Sequence, residues 1–191
     1  KGYSDGDNTG QDIISEIAID NSENVYAAGY TKGDLGEANG GGSKDDAFVI
    51  KLDTNGAVQW VTQLGGATKG YSGADNSGED LCYDITLDSA GGVYCGGETS
   101  GSLGEENGGS SDAFVLKLNS SGELQWILQF GASTKNITNA AGGDNSQFDR
   151  CRGGIHTDSS GNIYCVGYTE GDFGENQGGN GDIFIMKLKP N

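Results

Sequence analysis

The sequence predicts an all-β chain of three tandem four-stranded antiparallel meanders, the third lacking its last strand. Three observations carry this prediction. Landmarks recur along the chain: Asp12, Asp80 and Asp149 correspond, as do Tyr26, Tyr94 and Tyr164, and Asp46, Asp112 and Asp182. The spacing is about 66 to 70 residues, the mark of a repeated structural unit. Within each unit the apolar residues alternate with period two, the period of a half-buried strand. Clusters of Gly, Asn, Asp and Ser separate these runs, and no segment has the 3.6-residue period of a helix.

The units span residues 1–68, 69–134 and 135–191. In the first, "IISEIAID" is read as a strand with Ile13, Ile17 and Ile19 on one face. "NVYAAGYT", "DAFVIKLD" and "VQWVTQL" follow as the second, third and fourth strands. "DNSENV", "DSAGGV" and "DSSGNI" are the turns between first and second strands, and "DTNGAV" and "NSSGEL" those between third and fourth. Gly and Asn suit such turns because they tolerate the left-handed backbone a tight hairpin needs. Trp60 and Trp126 correspond and have no third counterpart, since the chain ends "GDIFIMKLKPN". Pro190, the one proline, lacks an N–H and marks a place where strand pairing is expected to stop. A four-stranded sheet cannot bury both faces alone, so the units are expected to stack as blades. Blades repeated about an axis give a β-propeller-like architecture.

Composition narrows the function classes. With 28 acidic and 11 basic residues the formal net charge is −17, the wrong sign for nucleic acid or an anionic membrane surface. There are 36 glycines, but without the strict three-residue period of collagen. No apolar run reaches the roughly 18 residues of a membrane-spanning helix. The chain starts at Lys1 without an initiator Met, as expected of a processed or trimmed chain.

The ordered string "D..GN.Y..GYT.GD.G … GG..DAFV.KLD.NG..QW...LGG" resembles the bacterial SBBP-type repeats of seven-bladed β-propellers in secreted and surface proteins. In the first unit Tyr26, Gly29, Tyr30, Thr31, Asp46, Ala47, Phe48, Lys51, Leu52, Gly56, Trp60, Leu64 and Gly65 carry the resemblance. It implies a blade fold and surface display, adhesion or scaffolding rather than a particular chemistry. Three units, one of them incomplete, are too few for a closed seven-bladed ring.

Candidate sites follow from the loops and cysteines. The loop before the first strand, with Asp5, Asp7, Asn8, Thr9 and Asp12, has the clustered hard oxygens that Ca²⁺ takes from a flexible loop. The later copies keep Asp75, Asn76 and Asp80, then Asp144, Asn145 and Asp149. Asx-turns are the competing role for all of these residues. Leu35, Leu103 and Phe173 are read as plugs pinning the next loop, and Asp46, Asp112 and Asp182 as acceptors for backbone N–H groups at the start of the third strand.

Cys82 and Cys95 in the second unit match Cys151 and Cys165 in the third, whereas the first unit has Ile14 and Ala27. Presence in pairs favours the disulfides Cys82–Cys95 and Cys151–Cys165, although four cysteines allow three connectivities. An ideal hairpin register holds these partners too far apart, so a bulge or pairing between units is needed. Disulfides imply an oxidising, extracellular setting. Asn119 and Asn136 begin sequons for N-glycosylation, in a hairpin turn and a linker expected to be exposed.

No nucleophile elbow or Cys–His pair is present, and the single histidine, His156, reads as a strand residue, so a non-catalytic role is expected. The expected function is a self-assembling subunit of an extracellular fibre or surface assembly, joined through blades and strand complementation. Its partner is another copy of itself, with glycans a further partner class and no membrane insertion. The alternatives are a calcium-dependent module binding carbohydrate or protein, and a fragment of a larger closed propeller.

Overall fold

The computed structural model describes residues 10–35, 44–65, 78–104, 107–131, 148–171 and 181–189. Blade 1 comprises β1 (Asp12–Ile19), β2 (Val25–Thr31), β3 (Asp46–Leu52) and β4 (Val58–Leu64). Blade 2 comprises β5 (Asp80–Leu87), β6 (Val93–Thr99), β7 (Asp112–Leu118) and β8 (Leu124–Phe130). Blade 3 has β9 (Asp149–Thr157), β10 (Ile163–Thr169) and β11 (Asp182–Leu188). Strands pair with their chain neighbours throughout, giving antiparallel meanders of four, four and three strands, and no helix occurs among the described residues.

Five described hairpin turns share one construction. In the first, Asp20 N–H donates to Asn24 C=O at 3.1 Å, and Asp20 C=O accepts from Glu23 N–H at 2.9 Å. The Asp20 carboxylate also accepts from the N–H groups of Ser22 and Asn24, each at 2.9 Å. Asp53, Asp88, Asn119 and Asp158 repeat the arrangement. The fourth residue must be left-handed, and Gly56, Gly91, Gly122 and Gly161 fill that place with φ of 76°, 83°, 82° and 78°. Glu23 occupies it in the first turn with φ 64°, where a side chain costs about 1–2 kcal/mol. Glu23→Gly is therefore expected to raise the free energy of unfolding by about 1 kcal/mol, read as a higher urea midpoint at unchanged slope.

The first strand of each blade carries a bulge, between Ile14 and Glu16 in β1 and between Cys82 and Asp84 in β5, with β9 irregular opposite Val166–Tyr168. This corrects the face expected for β1. The bulge breaks the alternation, so Ile14 rather than Ile13 joins Ile17 and Ile19, with exposures of 61%, 51% and 61%. The bulge in β5 likewise brings the carbonyl of Leu81 close to β6. A Cβ on Gly97 would lie 2.0 Å from that oxygen and 2.7 Å from the Phe114 ring. The same bulge answers the cysteine question, because it lets Cys82 and Cys95 approach to a Cα–Cα distance of 6.1 Å and bond. Cys151 and Cys165 bond likewise at 5.9 Å.

The blades stack face to face. β5 packs on β1, β2 and β3, and β9 packs on β5, β6 and β7. Between blades 1 and 2 the core joins Tyr26, Ala28, Ala47, Val49 and Leu64 to Cys82, Ile85, Cys95, Phe114 and Leu116. Between blades 2 and 3 it joins Tyr94, Ala113, Val115 and Phe130 to Cys151, Ile155, Ile163, Cys165 and Phe184. Blade 2 is thus covered on both faces, as its nearly continuous buried strands require.

Candidate functional site

The two covered interfaces define what an open blade face lacks. Backbone bonds tie the start of each first strand to the preceding blade: Asp80 N–H donates to Asp45 C=O at 2.7 Å, and Asp149 N–H to Ser111 C=O at 2.9 Å. Between blades 1 and 2, Trp60 Nε1–H donates to Ser120 C=O at 3.1 Å and the Thr62 hydroxyl to Gly122 C=O at 2.6 Å. Between blades 2 and 3, Ile155 N–H donates to the Asp84 carboxylate at 2.8 Å, and the Thr157 hydroxyl to Leu87 C=O at 2.9 Å. Glu98, nearly buried, accepts from the Tyr83 hydroxyl and from Ser111 Oγ, and pairs with Arg150 Nε at 2.5 Å. Burial first, and then the bond to Glu98, push the Tyr83 phenol well above its ordinary range.

The outer faces of blades 1 and 3 have no such cover among the described residues. Register pairs Ile183 and Ile185 of β11 with the positions of Ala47 and Val49 in β3 and of Ala113 and Val115 in β7. Those four residues are at most 1% exposed, whereas Ile183 is 84% and Ile185 71% exposed. Blade 1 shows the same contrast on its opposite face. Ile17 is 51% exposed where Ile85 and Ile155 are 5% and 0% exposed. Each open face therefore carries large aliphatic side chains at positions that the covered faces bury. A single exposed isoleucine is ordinary; a set at the register positions of a core marks an interaction surface.

The predicted metal ligands fall into two groups. Asp5, Asp7, Asn8, Thr9, Asp75, Asn76, Asp144 and Asn145 lie outside the described residues. Asp12 is exposed on β1 and accepts from the Thr31 hydroxyl at 2.5 Å, whereas Asp80 and Asp149 are buried where β5 and β9 meet the preceding blade. Among the described residues no three His, Cys, Asp or Glu side chains group to hold a metal ion.

Of the predicted sequons, Asn136 lies outside the described residues. Asn119 is half-buried rather than exposed. Its side-chain oxygen accepts from Ser121 and Glu123 N–H, and its amide donates to the Glu123 carboxylate at 2.7 Å, so the turn uses the whole side chain. His156 is an exposed residue of β9, opposite Tyr164.

The remaining recurring acids are built into turns. Asp20, Asp88 and Asp158 accept the hydroxyls of Tyr26, Tyr94 and Tyr164 at 3.2, 2.8 and 3.0 Å. Bonds from Asn162 lead the set that holds the Asp158 carboxyl down at about 2. Lys51, Lys117 and Lys187 sit over the same tyrosine rings, 4.9, 5.0 and 5.1 Å from the centroids.

Sequence reasoning missed Gln63 and Gln129, whose only signal is recurrence in "VTQL" and "ILQF". Each reaches across to accept from Leu35 or Leu103 N–H at 2.8 Å and to donate to Asp46 or Asp112 at 2.9 Å. Asp112 also accepts from Gly108 N–H at 3.2 Å, the backbone-acceptor role expected at this position.

A family model described as "SBBP: Beta-propeller repeat" matches residues 2–37, 59–105 and 153–174. Among curated proteins none matches the chain.

Proposed function

The chain belongs to the SBBP β-propeller repeat family, and on that premise we propose that it is a non-catalytic structural module. It assembles with further copies of itself as a subunit of an extracellular fibre or surface layer. The observation that carries this reading is the exposure of Ile183 and Ile185 at positions buried in both other blades. Fully covering one isoleucine is worth about 1.5–3 kcal/mol. Ile14, Ile17 and Ile19 present a second such set on blade 1. The two faces are unlike, one the front of a blade and the other the back. A contact between them is head-to-tail, giving a ring if the rotation closes and a filament if it does not. Strand pairing on β11, the edge of its sheet, adds a second kind of contact. The two buried disulfides suit an oxidising compartment.

Sedimentation velocity and negative-stain microscopy on the chain test this. Particles well above 19.7 kDa are expected to grow with concentration. Added salt should favour them, because each copy carries a net charge of −17 and screening shortens its repulsion. Ile183→Asp with Ile185→Asp should leave a folded monomer, since neither side chain packs within the chain. Sedimentation as a monomer at every concentration and salt overturns the reading. Particle size with and without a calcium chelator separates it from a calcium-dependent adhesion module.

A further inference from the structure

Between β8 and β11 lies an open groove of about 500 Å³, lined by Tyr94, Trp126, Leu128, Ile163 and Leu188, with Lys117 and Lys189 at its rim. The chain itself shows what belongs in such a place. Trp60 and Tyr26 of blade 1 stand at the positions of Trp126 and Tyr94, with ring centroids 6.0 Å apart against 6.1 Å for the second pair. Blade 2 covers the first pair with its β7–β8 turn and with β8. Trp60 bonds Ser120 C=O, Gly122 lies against the indole so closely that a Cβ would meet it at 2.7 Å, and Leu124 and Ile127 pack into the core. The element that does this pairs with β7. Its counterpart at the groove would pair with β11, which is the edge strand of its sheet.

The geometry points to the groove as a docking site for an extended protein strand of the β4/β8 type, added antiparallel to β11. Three features fix its chemistry. A Ser-Ser-Gly turn brings a carbonyl to Trp126 Nε1 and lays a residue without a side chain on the indole. Apolar residues on one face, as at Leu124 and Ile127, three apart across the bulge in β8, fill the space between Trp126 and Leu188. A glutamine two residues after the second of these reaches Asp182 and Gly171, as Gln129 reaches Asp112 and Gly101 C=O at 2.9 and 3.1 Å. Backbone pairing supplies affinity and the alternate side chains select the sequence. This rests on the assembly reading for its biological partner, a strand offered by another molecule, but not for its test.

The probe is a fluorescein-labelled peptide with the sequence Ser120–Gly131, titrated into the chain under monomeric conditions and followed by anisotropy. Saturable binding is expected, together with slowed amide exchange confined to Ile183–Leu188. Proline at the peptide position of Leu128, which lies opposite Val115 at a hydrogen-bonded place in the β7–β8 ladder, removes a ladder N–H and should abolish binding without altering the protein. Trp126→Ala should weaken binding about tenfold or more. Ile14→Asp with Ile17→Asp, which removes the open face of blade 1 and leaves β11 untouched, should leave peptide binding intact, so failure of assembly and failure of the groove are told apart. Absence of saturable binding overturns the proposal. Equal binding of the proline peptide, or no protection of β11, overturns it as well.

Discussion

Replacing Cys82 and Cys95 with alanine is expected to lower the free energy of unfolding by about 3 kcal/mol, and removing Cys151–Cys165 as well by about 6 kcal/mol in all. The bonds join residues 13 and 14 apart in sequence. Closing a loop of that size in the unfolded chain accounts for the first figure. A domain has only about 5–15 kcal/mol to lose, so the double variant should sit near its unfolding threshold at room temperature. All four cysteines are completely buried, so a mild reductant should act only through unfolding, and substitution is the cleaner experiment. The sites are also neighbours: a Cβ on Gly96, next to Cys95, would lie 2.7 Å from Cys151 Sγ. The pair of double substitutions therefore measures a coupling as well as a sum. Urea midpoints for the two single-bond variants and the variant without bonds decide the matter. An unchanged midpoint on losing either bond would show that blade packing alone sets stability.

Blade 1 manages without a disulfide, with Ile14 and Ala27 at those positions, and this bears on function. A disulfide locks the first strand of a blade to the second where the preceding blade presses on it. Blade 1 has no preceding blade among the described residues, and its front face is aliphatic and adaptable. Blade 3 offers Val166, Ile183 and Ile185 where blade 2 has Gly96, Ala113 and Val115. At several positions the open faces thus carry larger branched side chains: Ile14 stands where blades 2 and 3 have disulfide cysteines, and Val166 and Ile183 stand where blade 2 has Gly96 and Ala113. A joint between copies is expected to be wider and more deformable than the joints inside the chain.

Much of the fold was legible because each unit repeats its own evidence. Tyr26, Tyr94 and Tyr164, and Phe48, Phe114 and Phe184, align the strands; the Asp-x-x-Gly turns punctuate them. A feature that occurs once has no such support. Glu98 and Arg150 join blades 2 and 3, yet Tyr30 and Tyr168 replace the first elsewhere, and Ile13 and Leu81 the second. The bulge in β1 was hidden for a different reason. "IISEIAID" alternates well enough without it, and only pairing with β2 shows that the face shifts between Ile14 and Glu16. The candidate site was the least legible part. Ala113 and Ile183 are both ordinary strand residues until stacking decides which face is covered.

Gln129→Leu is expected to cost about 4 kcal/mol, far more than loss of one amide from a surface strand. The side chain is fully buried and makes four bonds: it accepts from Leu103 N–H at 2.8 Å and Gly104 N–H at 3.3 Å, and donates to Gly101 C=O and Asp112. Leucine fills a similar volume but leaves these partners to find others in a dry place, at about 1–3 kcal/mol each where they do not. Gln129→Glu separates the hydrogen bonds from the packing through its pH dependence. Burial, against the bonds from Gln129 and Gly108, already raises the Asp112 carboxyl above 3.8 in the folded chain. A folded-state pKa raised in this way favours folding at low pH, and that contribution is lost as pH rises through the folded value. A second carboxylate beside Asp112 raises the pair further and enlarges the effect. The glutamate variant should therefore approach wild-type stability in acid and fall away toward neutral pH, while the leucine variant stays low throughout. Parallel pH profiles for the two would mean that volume, rather than the bonds to the β6–β7 loop, is what Gln129 supplies. The same side chain on a docked strand would then lose its reason to select glutamine, so stability and strand recognition are tied to one residue position.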